Sequence, residues 1–424
     1  MRDSIPSGAL SGNILVIGGG MAGLSAALEA SEAGYDVYLI EKNPYLGGRV
    51  AQMYQYFPKL CPPYCGLEII FRRIRTNPKI KYLTMSEVVD VSGEPGAFDV
   101  DVRINPRYVD LEKCTACGEC VKVCPVDREN DFNYGMDKTK AIYLPHDLAF
   151  PMKYVIDDSV CKKLECAKCV EACSYDAIDL NMKPKTIRIK AESIVIATGW
   201  KPYDATKLDD LGFGKYPNVI TNVMMERLAA FNGPTKGRIL RPSDGKEPKT
   251  VAFVQCAGSR DENHLPYCSA VCCLASMKQA TYLREQIPDS KVYIFYIDIR
   301  TPGGKFEDFY TKVSQDENIV FVKGKVAKVE EGEDGNLIVV AENALTGEKT
   351  RTEVEMVVLA TGMQPELSDV KLPIKELKLD EYDFATFDTP GIYAAGVARG
   401  PADVASVVEQ GTAAALKGIQ TAKR

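Results

Sequence analysis

The sequence predicts an α/β chain in which two Rossmann-like dinucleotide-binding domains are interleaved and an α+β ferredoxin-like domain is inserted into the first. Three observations predict it. A glycine-rich turn, Gly18, Gly20 and Gly23, follows a short apolar strand near the start of the chain. Two apolar strands downstream, Ser193 to Gly199 and Met356 to Gly362, both end in Ala-Thr-Gly. Ahead of them Cys114, Cys117, Cys120 and Cys124, followed by Pro125, spell CxxCxxCxxxCP, the run by which thiolates grip iron–sulfur clusters.

Asn13 to Ile17 reads as the first strand and Met21 to Ala33 as the helix after it. A strand, a tight glycine turn and a helix N-terminus together make a pyrophosphate site, because unpaired backbone N–H groups and the helix dipole favour negative charge. Met21 and Ala22 lie within this turn. Asp36 to Ile40 is the second strand; Glu41 at its end is placed to accept hydrogen bonds from a ribose diol, with Lys42 beside it. Gly47, Gly48, Arg49 and Val50 follow, and this ExxxxxGGR spacing resembles the FAD-binding start of two-dinucleotide-domain flavoproteins of the thioredoxin reductase type. The resemblance implies that Ala197, Thr198, Gly199 and Gly362 are closing turns. It also implies that Thr389 to Gly396 (TPGIYAAG) is the final FAD-contacting strand, followed by a helix from Ala402 to Gly418. Such flavoproteins commonly carry Asp after that glycine. This chain has Val397, so the contact must come from backbone or from elsewhere.

Phe98, Val100, Val102 and Ile104 alternate with polar residues, and Thr186 to Lys190 alternates as their expected partner. Everything between Asn105 and Lys185 then sits at the tip of a hairpin. A second cysteine run, Cys161, Cys166, Cys169 and Cys173, lies in the same segment. The expected arrangement is crossed: Cys114, Cys117 and Cys120 with Cys173 on one [4Fe-4S] cluster, and Cys161, Cys166 and Cys169 with Cys124 on the other. Structural zinc is the alternative, but it prefers paired CxxC knuckles with a longer gap.

Thr250 to Gln255 opens a second strand, turn and helix, where relatives of this architecture bind NAD(P)H. The GxGxxG needed for pyrophosphate is missing there. Cys256, Cys268, Cys272 and Cys273 take its place, either as a four-thiolate cage at a helix start, stabilised by the helix dipole, or as buried cysteine packing. The division this implies is 1–104 and 186–248 for the flavin domain, 105–185 for the insertion, 249–355 for the second Rossmann-like domain, and 356–424 for the C-terminal part of the flavin domain.

At 424 residues, 46% hydrophobic and 26% charged, the composition is that of an ordinary globular chain of two or three domains. A net charge of -6 with no basic run gives no reason to expect nucleic-acid binding. No apolar run reaches the roughly 18 residues that span a bilayer, and no secretory leader is read at the N-terminus. Fourteen cysteines in such a chain point to metal or redox chemistry in an oxygen-poor cytoplasm, not to a disulfide framework.

Gln255 to Lys278 (QCAGSRDENHLPYCSAVCCLASMK), Asp298 to Gly303 (DIRTPG) and Gly400 to Asp403 (GPAD) resemble the heterodisulfide reductase A family, flavoproteins of anaerobes. The similarity covers nearly the whole chain and implies that Cys256, Cys268, Cys272 and Cys273 hold a third [4Fe-4S] cluster of unusual ligation. Within that family the chain is most similar to the A subunits of the quinone-interacting membrane-bound oxidoreductases of sulfate reducers. That resemblance implies FAD, a related flavoprotein/iron–sulfur B subunit, a membrane C subunit meeting menaquinol, and electron delivery to adenylylsulfate reductase. It also implies a cytoplasmic protein held at the membrane only through a partner, with flavin chemistry open to bifurcation or confurcation. Two rivals stand beside this reading: an NAD(P)H-dependent reductase of the glutamate synthase small-subunit kind, and an iron–sulfur redox sensor or scaffold.

Some residues invite other roles. Cys61 and Cys65 (CPPYC) form either a flavin-linked thiol pair or a structural or substrate-proximal element without catalysis, the second being favoured. His146 and His264 are the only histidines, so histidine acid–base chemistry is not expected; His264 reads as a loop residue. Trp200 is expected beside the flavin, and Lys305 in a solvated loop.

Overall fold

Two short apolar stretches and one long strand set the architecture. In this computed structural model, residues 10–57, 60–332, 334–344, 346–386 and 389–422 are described; the first nine residues of the 1–104 segment lie outside them. The strand Lys185–Ile196 alternates between exposed and buried in its first half and is continuously buried at its end. Its neighbours explain the change. Along the first half its one edge pairs antiparallel with Ala97–Ile104, from Lys185 opposite Ile104 to Ala191 opposite Phe98. At its end that edge takes the parallel strand Ile392–Ala394. The other edge pairs parallel with Leu10–Ile17, which pairs in turn with Val37–Ile40. Ile80–Leu83 and Ser86–Glu94 complete a seven-stranded sheet. Parallel strands covered on both faces read as unbroken apolar runs, and half-exposed antiparallel ones alternate.

The helices Met21–Glu32 and Val404–Ala422 cover one face and meet through small residues: a Cβ on Gly411 would lie 2.5 Å from the Ala22 carbonyl oxygen. Gly23 is tighter still, since its Cβ would lie 1.8 Å from the Gly18 carbonyl oxygen. No rotamer relieves a backbone clash. Gly23→Ala is therefore expected to abolish flavin retention, read as the flavin-to-protein absorbance ratio after purification; a ratio equal to the parent's would refute this close-packing role.

A second seven-stranded sheet runs Val219–Thr221, Met356–Thr361, Thr250–Ala257, Lys291–Tyr296, Ile319–Glu331, Leu337–Asn343, Lys349–Val354. Two of its strands fall outside 249–355. Val219–Thr221 and Met356–Thr361 pair parallel with each other, and the latter with Thr250–Ala257, so both extend the second layer. The expected limits at 248/249 and 355/356 accordingly cut through this sheet. A three-residue strand with its partner 138 positions away, as Val219 is opposite Val357, has no local signal to mark it.

The segment from Asn105 to Pro184 rises from the hairpin formed by Ala97–Ile104 and Lys185–Ile196. Its small core gathers Tyr108, Val109, Ile142, Ile156, Ile178 and Leu180 around Cys114 and Cys120. It is fastened to the flavin-type sheet well beyond its stem. Leu46 N–H donates to the Phe150 carbonyl at 2.8 Å, Phe71 and Phe150 stack at 4.9 Å, and Gln52 Nε2 donates to the Phe132 carbonyl at 3.1 Å. The buried Arg227 donates through Nε to Asn133 Oδ1 at 2.8 Å and lies over the Phe132 ring. No helix among the described residues is long and apolar enough to cross a membrane.

Candidate functional site

A cavity of about 550 Å³ opens where the glycine turn, the Ala-Thr-Gly turn and the insertion meet. Gly18, Gly20, Met21 and Ala22 form its base. Gly20 caps the Met21–Glu32 helix with no side-chain hydrogen bond, so the first N–H groups of that helix are free to receive an anion. Gly18 has φ +110°, and a Cβ there would fall 2.1 Å from the Ala197 carbonyl oxygen; only glycine lets these two turns touch. Glu41, Lys42, Gly48, Arg49 and Val50 line a second side. Burial pushes the Glu41 carboxyl up from its ordinary range; its oxygens accept from Asn43 N at 2.7 Å and Gly19 N at 2.6 Å, which act in the opposite direction. Ala197, Thr198 and Gly199 line a third, and Thr198 Oγ1 is buried there without a hydrogen-bond partner.

Gly396 and Val397 close the opposite wall. The carboxylate missing at Val397 has a neighbour in Asp403, which also lines the cavity and caps the final helix by accepting from Ala405 N and Ser406 N. Trp200 lies beside the cavity, its carbonyl accepting from Arg49 Nε at 2.9 Å. Two expected residues are absent from the lining. Gly23 is spent on packing helix to strand. Gly362 packs beneath the loop between Cys256 and Cys272, where a Cβ would meet Ser259 Oγ at 2.2 Å and Ser269 Oγ at 2.7 Å. The glycine turn, the unpaired helix amides and the orphaned Thr198 hydroxyl fit a dinucleotide such as FAD.

Sequence reasoning missed the rest of the wall. Arg128, Asp131, Phe132 and Tyr143 come from the insertion, and Val271, Ala275 and Lys278 from the start of the helix Cys272–Gln286. Lys278 is almost wholly buried and pairs with the equally buried Glu226 at 2.9 Å. Glu226 also accepts from Gln279 Nε2 at 2.7 Å, Tyr54 N at 3.0 Å and Tyr282 Oη at 3.3 Å. The QCAGSRD…SMK stretch holds Lys278 in plain sight, but only the fold shows that it is buried. His146 is sandwiched between Tyr45 and Phe132 with both ring nitrogens unpartnered, and burial pushes it down to about 3. It stays neutral and packs behind Tyr45 and Phe132, which line the cavity.

In the insertion, Cys114, Cys117, Cys120 and Cys173 line one small pocket with Tyr154 and Ile178. Burial pushes the Cys120 thiol up to about 12, the neighbouring Cys114 adding to it. The Cys169 thiol, pushed up to about 11 by burial, also feels Cys161 and Cys124, and Cys166 ends the turn Lys163–Glu165 just ahead of it. Cys114, Cys117, Cys120 and Cys173 thus share one pocket, and Cys124, Cys161 and Cys169 share a second neighbourhood. Among the described residues no group of three or more His, Cys, Asp or Glu is placed to hold a single metal ion. Cys114, Cys117, Cys120 and Cys173 surround a small space of their own.

The third quartet gathers at one helix start. Cys256 bends the end of Thr250–Ala257 with φ +56°, and Cys272 and Cys273 are the first residues of Cys272–Gln286. Burial pushes the Cys272 thiol well above its ordinary range, and Cys256, Cys273 and Cys268 add to the effect, so all four share one neighbourhood. Ser259 and Ser269, hydrogen-bonded at 2.9 Å, staple the loop. His264 bonds through Nδ1 to Tyr203 Oη at 2.8 Å, a loop role. Cys61 and exposed Cys65 flank the α-helix start at Tyr64, near Tyr56, which reaches the main cavity.

Residues 13–73 match the family described as FAD dependent oxidoreductase, and residues 107–127 the 4Fe-4S binding domain. The A subunit of the Ferredoxin/F(420)H(2)-dependent CoB-CoM heterodisulfide reductase of Methanosarcina acetivorans is 40% identical, covering 96% of this chain and 53% of its own length. The iron-sulfur A subunit of the CoB-CoM heterodisulfide reductase of Methanocaldococcus jannaschii is also 40% identical, over 95% of this chain and 63% of its own. The chain thus spans little more than half to under two thirds of these relatives. In fold it is similar to thioredoxin reductase of T. acidophilum, with a TM-score of 0.55 at 16% identity over 98% of this chain and 99% of that one. Lactococcus lactis thioredoxin reductase gives 0.53 at 15%, over 97% and 99%.

Proposed function

We propose that this chain, 40% identical to heterodisulfide reductase A subunits and matching the FAD dependent oxidoreductase and 4Fe-4S binding families, is an oxidoreductase subunit that relays electrons between three clusters and one flavin within a multi-subunit complex. The observation that carries this is the shared wall: residues of the cysteine-bearing insertion and of the helix begun by Cys272 and Cys273 line the same cavity as the glycine turn. FAD, when bound, supplies conversion between one-electron and two-electron chemistry. The backbone amides after Gly20 would hold its pyrophosphate, Glu41 would accept from its ribose, and the insertion would cover one side of it. Lys278 lines the cavity as half of a buried ion pair with Glu226.

The finer reading is that the donor is a membrane quinol, reached through the B and C subunits, and the acceptor a soluble enzyme such as adenylylsulfate reductase. The chain then stays in the cytoplasm, at the membrane through its partners. A second reading rests on the 40% identity to components of CoB-CoM heterodisulfide reductases and would place the chain in the electron supply of such a reductase. Both leave soluble pyridine nucleotide out, because four cysteines occupy the strand–helix turn where a GxGxxG would stand.

Anaerobic stopped-flow mixing tests that point. Neither NADH nor NADPH is expected to bleach the flavin, whereas a reduced menaquinol analogue should do so once the partner proteins are added. Rapid bleaching by either nucleotide would return the chain to the NAD(P)H-dependent rival.

A further inference from the structure

We propose that Arg260 is a positioning residue for the four-cysteine site, holding a fixed positive charge there that, balanced by Asp298, sets how readily the site accepts an electron. The proposal rests on the reading that Cys256, Cys268, Cys272 and Cys273 hold a cluster. Arg260 lies four residues after Cys256 in the same tight loop and has φ +56°, a left-handed conformation uncommon for a side-chain-bearing residue. The loop over-determines it: Arg260 N–H donates to the Tyr267 carbonyl at 3.0 Å and Asp261 N–H to the Leu265 carbonyl at 3.1 Å. Its guanidinium pairs with Asp298 Oδ2 at 2.9 Å. The carbonyl of that same Asp298 lies 3.6 Å from Cys273 Sγ. Arg260 is thereby tied to the quartet from both ends, through the chain to Cys256 and through Asp298 to Cys273.

Arg260 also reaches Cys256 with a side-chain hydrogen bond. Arg300 meets Cys273 through its backbone N–H, and the Lys325–Asp261 pair, at 3.1 Å, is the next ion pair along the loop. A guanidinium cannot lose its proton in a protein, so this charge is permanent. Charge and hydrogen bonds beside cluster sulfurs are among the determinants of reduction potential. An added positive charge favours the reduced form, which carries one more electron.

Midpoint potentials of anaerobically purified protein, followed by paramagnetic resonance, test this in Arg260→Gln, Arg260→Lys and Asp298→Asn, with iron and sulfide measured on each. Arg260→Gln should keep its iron and lose about tenfold in the reduction equilibrium of this cluster, a fall of about 59 mV for a one-electron couple. Asp298→Asn should move the other way, since it unmasks the guanidinium, and Arg260→Lys should hold most of the parent value. A merely structural role cannot give opposite signs. Equal-direction shifts, or no shift with iron retained, overturn the proposal; should Arg260→Gln lose iron, Asp298→Asn decides alone by the sign of its shift. Cys272→Ala run alongside separates two failures. If it loses no iron, the cluster reading itself has gone, whereas an intact cluster indifferent to Arg260 and Asp298 overturns only the tuning.

Discussion

A Cys272→Ala chain is expected to lose about four iron atoms and about four sulfides while keeping its flavin, since a [4Fe-4S] cluster depends on its thiolates. Cys272 is chosen because it is buried and touched electrostatically by all three other cysteines of its group. The substitution also places a small apolar side chain at the first position of a 15-residue helix, a change the fold tolerates. Anaerobic iron and sulfide quantification against FAD content measures it. Cys117→Ala, in the insertion, is the companion: its losses should fall on a different resonance signal. Unchanged iron in Cys272→Ala would assign these four residues to packing.

Lys278→Met is expected to destabilise the protein by about 3–5 kcal/mol, because it strands a buried carboxylate without its cation. The ion pair with Glu226 is buried on both sides, so solvent screening offers little relief. Gln279, Tyr54 and Tyr282 still donate to Glu226, but their dipoles replace a full charge only in part. Urea unfolding of the anaerobic holoprotein reads the loss. Glu226→Gln combined with Lys278→Met removes both charges and should recover more than half of it. A single variant within about 0.5 kcal/mol of the parent, the range of ordinary surface changes, would place the pair in a solvated setting instead.

What the sequence makes legible here is local. The GxGxxG turn, the alternation of Phe98 to Ile104 and the cysteine runs all carry their meaning within a few residues. Hydrophobic period alone pairs Phe98 to Ile104 with the strand at Thr186 to Lys190, because one face of each must be buried. What it leaves dark is non-local. Lys278 reaches Gln55 across 223 positions, Arg227 reaches Gln52 across 175, and Arg128 or Tyr143 faces the flavin cavity only because the insertion folds back. Gly362 illustrates the opposite error. Its Ala-Thr-Gly setting is the same as that of Gly199, yet the two glycines serve different sheets, and a motif cannot say which.

The strand Lys185–Ile196 begins at the stem of the insertion and ends at the Ala-Thr-Gly turn in the cavity wall. At about 3.3 Å per residue, its 12 residues make a girder of about 40 Å that belongs to both units at once. With the insertion also bolted at Leu46, Gln52 and Arg227, the interval between clusters and flavin is a constant of the fold. In the proposed relay the stations are then held at fixed places, and control is written into the charges that surround each of them.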